Sequence, residues 1–314
     1  MSPYDASPDS GPHIIDVPIR PSRPKQAVLY GLVLALGTGY GLQYASARMM
    51  GLEGVQPMSA LLVIHVVLAG FFTAFLVLSG KLFVPSLRHF AFFLPVTVLV
   101  NLGQLAVELI AAHHVPAGEL TLIMSLLPIF VFGIAAAFRT ERLTGRKTFG
   151  ILLGVAASSA ILLPSAFGSP AQLSWVAFTF LAPVTQAIGL VFMGRYWPKD
   201  LDPLQVATGN LVMGGLLMIP VTVVSGESFD PAAFSAAGAL ATVVFAFTMA
   251  AEFVIFTTLL RRGGAVLASC ADFIAVCAGL VFGYMLFGEV PTLWMGAAAL
   301  LCLLALRFAT DRPA

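Results

Sequence analysis

Residues 57–79 read PMSALLVIHVVLAGFFTAFLVLS, a run without a single Asp, Glu, Lys or Arg. A helix rising 1.5 Å per residue needs roughly 20 such apolar residues to cross the hydrocarbon core of a bilayer, about 30 Å thick. This stretch is long enough, and charge-poor stretches of similar length recur on both sides of it. They fall at 27–47, 57–79, 90–112, 117–138, 148–165, 174–194, 203–224, 236–260, 264–287 and 291–308, which predicts ten transmembrane helices. The whole chain agrees: of its 314 residues 59% are hydrophobic and 10% charged, with a mean hydropathy of +0.96. No soluble domain of this size carries that composition on its surface. The predicted fold class is an all-α integral membrane protein whose connecting loops are too short for an extramembrane domain.

The net charge of +1 carries no signal for nucleic acid, but its distribution is informative. With the N-terminus placed in the cytoplasm, every Lys and Arg of the 16 except Arg48 falls on the cytoplasmic side of the ten predicted helices. That is the asymmetry of the positive-inside rule, and a missed helix would scramble it. Both termini are expected in the cytoplasm of a bacterial cell, with the chain in its inner (plasma) membrane. Residues 1–26, rich in Pro, Ser and Asp, read as a disordered cytoplasmic tail rather than a signal or transit peptide, and 309–314 as a short cytoplasmic C-terminus. Cys270, Cys277 and Cys302 lie within predicted helices and read as small apolar fillers.

Sliding the chain against itself by 148 residues brings 117–144 over 265–292, with Glu141 on Glu289 and Thr144 on Thr292. By the charge-based topology Glu141 sits at the cytoplasmic end of its helix and Glu289 at the outer end. The halves, 27–165 and 174–308, are thus read as two inverted five-helix repeats, a construction that puts a solute site near the midplane between them.

The segment Pro116 to Val131, PAGELTLIMSLLPIFV, followed by TERLT at 140–144 and by Gly150, resembles the fourth and fifth helices of EamA-type members of the drug/metabolite transporter superfamily. The segment YGLQYASAR at 40–48 is similar to that family's first-helix signature, with Tyr40 in place of the usual Trp. Val276 stands where the second repeat often carries Pro. The resemblance runs over about residues 27–308 and implies a ten-helix transporter, with export as the tendency of the family.

Ionisable groups inside a bilayer point to function or to a partner, which singles out Glu252 and Asp272. Each lies eight residues, about 12 Å of helix rise, from the cytoplasmic end of its helix. Their helices are joined by Arg261-Arg262-Gly263 and are expected to form an antiparallel hairpin. Two carboxylates at one depth without a cation cannot both ionise cheaply, so the pair is a candidate proton-coupling site, with hydrogen-bonded packing as the plainer alternative. The same 148-residue shift sets Gln104 on Glu252, and Asn101 shares the face of Gln104. Gln43, His65, Gln186 and Asn210 are further polar residues within helices, and Tyr40 is an aromatic candidate for a cavity wall. Any one of them serves as well in interhelical hydrogen bonding; as a set they suggest a wet pathway. Glu108 reads equally as a vestibule acid or a cap. His113, His114 and Glu119 are explained by a loop near water and by a helix dipole rather than by a metal. Glu141 and Glu289 read as caps, and Pro95, Pro128, Pro183 and Pro220 as helix interruptions.

The expected function is a secondary transporter, of the exporting kind, for small polar or amphipathic metabolites such as amino acids. It works by alternating access, with the proton as candidate coupling ion. No catalytic residue, metal or cofactor is assigned. The partners are a small-molecule solute and the lipid bilayer, not nucleic acid, and the chain acts as a monomer or homodimer. Two alternatives stay open: an intramembrane enzyme acting on a lipid-linked substrate, which lacks its usual Asp pairs or phosphate clamps here, and a receptor or scaffold without flux.

Overall fold

Proline sets where several helices of this chain break. The computed structural model describes residues 26–137, 145–166, 169–228, 230 and 234–309, and for some of these, 260–270 and 272 among them, the backbone alone. The expected tail, the C-terminal end and the loop carrying Glu141 lie outside the described residues. The elements that are described are all helical: α1 (Gln26–Leu52), α2 (Pro57–Leu78), α3 (Leu87–Val96), a π-helical turn (Thr97–Leu102), α4 (Gly103–Ala111), α5 (Ala117–Met124) and α6 (Leu127–Ala137). There follow α7 (Gly145–Ala166), α8 (Pro170–Thr179), α9 (Leu181–Tyr196), α10 (Pro203–Ser225), α11 (Ala236–Phe287) and α12 (Leu293–Ala309).

A proline ring collides with the carbonyl four residues back and has no N–H to offer it. Four residues before Pro128 is Met124, where α5 ends; four before Pro183 is Thr179, where α8 ends. Pro95 lies in the last turn of α3, and the π-helical turn opens two residues later. Pro220 differs: α10 runs through it unbroken to a left-handed Gly226. There the proline faces outward near the helix end, where the chain is free to bend.

Six helical stretches are long and apolar enough to cross a membrane: Pro57–Leu78, Leu87–Ala111, Ala117–Ile134, Pro170–Tyr196, Pro203–Ser225 and Ala236–Phe256. Shorter apolar helices lie at Thr148–Ile161, Ile274–Phe287 and Leu293–Ala305. α1 has the length, with 27 residues, but its hydropathy is diluted by Gly, Tyr and Gln. The exposed faces carry large apolar side chains, such as Val67, Leu78, Val224 and Phe247, while His65, Asn101, Gln104 and Glu108 are buried. Polar groups inside and apolar groups outside is the arrangement that lipid selects. The chain is a multi-pass membrane protein.

α11 has 52 residues and would measure about 78 Å if straight. It doubles back instead. Ser235, its N-cap, donates a hydrogen bond to Glu53, and Glu289, just past its end, pairs with Arg48, so both ends lie beside the C-terminal end of α1. At the other end of α1, Leu259 and Ala271 share one apolar cluster with Val33 and Leu36. One leg of α11 therefore descends along α1 and the second climbs back. This agrees with the expected antiparallel course, although the backbone at the expected junction, 261–263, is helical.

The second leg approaches closely because Gly41 has no side chain. A Cβ there would lie 2.6 Å from Ala278 Cβ and 2.7 Å from the Gly279 nitrogen. α2 packs on α10 and α7 on α12, so these elements of the first half each meet one of the second.

Candidate functional site

The helix irregularities converge on one place. The π-helical turn carries Asn101, the break between α5 and α6 carries Ser125, and Gln186 lies one turn beyond the break between α8 and α9. All three line a central cavity of about 100 Å³. Tyr40, Gln43 and Tyr44 of α1 close one wall, Gln104 of α4 another, and Met249, Glu252 and Phe253 of α11 a third. Helix breaks and π-turns turn polar groups away from the regular ladder, which makes them suited to a solute site inside a membrane.

Six of the nine expected site residues, Tyr40, Gln43, Asn101, Gln104, Gln186 and Glu252, thus line a single cavity. Three have other placements. His65 is buried between α2 and α10, its Nδ1 lies 2.8 Å from the Leu61 carbonyl oxygen, and its ring fills the space left by the missing side chain of Gly214. Asn210 accepts a hydrogen bond from Thr97 Oγ1 at 3.1 Å, tying α10 to the π-helical turn. The side chain of Asp272 lies outside the described residues.

Two cavity-lining groups are orphaned: Asn101 Nδ2, a donor, and Gln186 Oε1, an acceptor, are buried without a partner. Buried polar atoms in native proteins are nearly always satisfied, so such a pair on the wall of a cavity marks a place where water or a solute completes the bonding. Glu108 is the acid that sequence reading left undecided. It is 1% exposed, its Oε2 accepts from Gln104 Nε2 at 2.7 Å, and its Oε1 has no partner. It stands near enough to Glu252 for the two carboxylates to interact electrostatically. The signal for it was its spacing: Gln104 and Glu108 are four residues apart on one face of one helix. Ser125 and Thr121 also line the cavity and were not singled out; each sits in or beside the turn that Pro128 imposes.

At the end of the bundle carrying Arg48, the two halves are tied together. Arg48 Nη1 donates to the Ala112 carbonyl at 2.8 Å, and its Nε lies 3.8 Å from Glu289 Oε1. Glu289 in turn accepts from the backbone N–H groups of Ala117 at 3.2 Å and Gly118 at 3.3 Å, so it caps α5 of the other half. Glu227 does the same for α2, accepting from the N–H groups of Met58 and Ser59. His113 and His114 belong to this end: His114 stacks on Trp175 with ring centroids 3.8 Å apart, and His113 Nδ1 meets the Leu109 carbonyl. Burial, with the charges of His113 and Arg48, pushes the His114 pKa below its ordinary value.

The opposite end is held by Asp202, the N-cap of α10, which accepts from the N–H groups of Leu204 and Gln205 and pairs with Lys81 at 3.3 Å. Burial works against the ionised form of Asp202. The N–H groups of Gln205 and Leu204 and the Lys81 ammonium outweigh it and hold the pKa below the ordinary carboxylate value.

Comparison with known proteins gives this arrangement a context. The EamA-like transporter family matches residues 173–310. A protein of Archaeoglobus fulgidus described as an uncharacterized transporter is 27% identical over 123 residues, 39% of this chain and 40% of that protein, so the match spans well under half the relative's length. A solved crystal structure, described only as that of a protein, superposes with a TM-score of 0.61 at 18% identity, covering 90% of this chain and 97% of the other. At that identity the likeness shows the fold. The second half of the chain, residues 173–310, thus matches the EamA-like transporter family.

Proposed function

We propose that this chain is a secondary transporter that moves small polar or amphipathic metabolites, amino acids among them, out of the cell by alternating access of two inverted five-helix repeats. In this reading residues 27–165 and 174–308 are the repeats, with ten spans, both termini in the cytoplasm and the chain in a bacterial inner membrane. The observation that carries it is the pair of orphaned groups, Asn101 Nδ2 from the first half and Gln186 Oε1 from the second, on the wall of one cavity between the halves. The packing of α2 on α10 and of α7 on α12 supports the two-fold relation.

The cavity walls supply amides, phenols and the Glu252 carboxylate, and no Lys or Arg among the described residues. That chemistry suits a proton, an amine or a zwitterion better than a phosphate ester. Asp272, in the second leg of α11, is kept as the candidate coupling partner of Glu252. The cavity, at about 100 Å³, has room for about three waters at ~30 Å³ each. Admitting a metabolite requires the helices to part, as alternating access demands.

The test is solute exchange across proteoliposomes containing the purified protein. Labelled amino acids and amines exchange above protein-free liposomes and sugar phosphates do not; no exchange of any of them contradicts the reading.

A further inference from the structure

A second cavity, of about 430 Å³, lies at the end of the bundle that carries Lys81 and Asp202. Its walls are mostly apolar, Phe71, Phe72 and Phe75 of α2, Leu204 and Ala207 of α10, and Val254 of α11, and because Phe71, Phe75 and Val254 are exposed it opens on the surface of the bundle. Its mouth is polar, where Lys81 meets Asp202 and Gln205 Nε2 donates to the Lys81 carbonyl at 2.8 Å, holding the 79–86 loop against the start of α10. Among the described residues, Phe253 is the one side chain that lines both this cavity and the central one.

The two chambers are chemically unlike. The central one presents amides and the Glu252 carboxylate, the terminal one phenylalanine rings. Glu252 and Phe253 are consecutive on α11, so the last group met in the terminal chamber adjoins the acid of the central one. Neighbouring residues on a helix lie about 100° apart around its axis. The acid and the ring therefore stand on different sides of this leg, Glu252 toward the central cavity and Phe253 at the boundary between the two cavities.

We propose that the terminal cavity is the cytoplasmic vestibule of the transport route and that Phe253 is the gate between it and the solute site. This rests on the transport reading given above. The vestibule admits the transported solute from water, the ring of Phe253 blocks it while the central cavity is contracted, and displacement of the ring joins the chambers. Phe253 thereby sets the width of solute that passes.

The test uses a background in which Cys270, Cys277 and Cys302 are changed to serine, with one reporter cysteine in each chamber, Leu204→Cys in the vestibule and Gln186→Cys in the central cavity. A charged, membrane-impermeant thiol reagent is applied to inverted membrane vesicles, from the side of Lys81. Leu204→Cys is expected to label readily whatever stands at 253. Gln186→Cys is expected to label slowly with Phe253 present, severalfold faster with Phe253→Ala and slower still with Phe253→Trp. Equal labelling of Gln186→Cys in all three backgrounds overturns the gate. Failure of Leu204→Cys to label in any background, as when lipid tails fill the groove, overturns the vestibule. If labelling follows Phe253 while the unaltered protein exchanges no solute in liposomes, the gate stands and the transport reading falls.

Discussion

Gln104 donates from Nε2 to Glu108 Oε2 at 2.7 Å, one turn along α4, and this bond joins a cavity-lining amide to a carboxyl group that is fully enclosed. Glu108 keeps its second oxygen without a partner. Removing one member of such a pair leaves a buried group unsatisfied, at about 1–3 kcal/mol, whereas removing both is far less costly. Gln104→Leu and Glu108→Leu are expected to lower thermal stability more in sum than the double variant does. A double-mutant cycle of thermal unfolding in detergent measures the coupling; simple additivity contradicts the bond.

α1 offers a contrast between two glycines. Gly41→Ala drives a Cβ into the backbone of the second leg of α11 and is expected to destabilise by about 1–3 kcal/mol. Gly31 has nothing within 4 Å of where a Cβ would stand. Gly31→Ala is expected to be neutral or to stabilise by up to about 1 kcal/mol, from helix propensity alone. Thermal unfolding of the two purified variants, side by side, checks the packing of α1 on α11.

Asp202→Ala removes the cap of α10 and is expected to cost about 1 kcal/mol, with Asp202→Asn costing less because Asn also caps. The Lys81 pair adds little, since Lys81 is exposed and Asp202 only half-buried. The folded-state pKa of Asp202 is lowered. Its ionised contribution is therefore fully present above the unfolded value, about 3.9, and is lost as pH falls through the lower folded value. The stability gap between the unaltered protein and Asp202→Ala should be constant around neutrality and narrow only in strong acid. A gap that closes near pH 6 contradicts the assignment.

At the other end, Glu289→Ala strips α5 of its cap and Arg48 of its partner at once. Its stability loss should exceed that of Asp202→Ala, because the Glu289 side chain is the less exposed, 17% against 31%. Glu289→Gln, which keeps one oxygen to accept from one of the two N–H groups, should recover part of that loss. Comparing unfolding temperatures of the three variants decides it.

The membrane-crossing helices were legible because hydropathy over about 20 residues is a strong signal, and the breaks at Pro128 and Pro183 because the ring acts on its own backbone. What the sequence could not convey was rotation about a helix axis. His65 and Asn210 looked no different from Gln43 and Gln186, yet the first two face a neighbouring helix and the latter two a cavity. In a helix that is apolar nearly all round, such as α10, hydropathy does not distinguish a lipid face from a packing face. Glu108 was left undecided for the same reason: its height along the helix was readable, and its approach to Glu252 on a helix more than a hundred residues away was not. The doubled course of α11 was foreseen from a charged, glycine-containing junction between two spans of membrane length.

The most direct test of transport is untargeted metabolite release from cells producing this protein. The comparison is with cells holding equal membrane levels of the Glu252→Gln, Asp272→Asn double variant and with cells holding an empty vector. The account predicts that a set of small amines or zwitterions accumulates outside only with the unaltered protein. Release no greater than from the empty vector contradicts export, and equal release from protein and double variant contradicts the role given to the two acids.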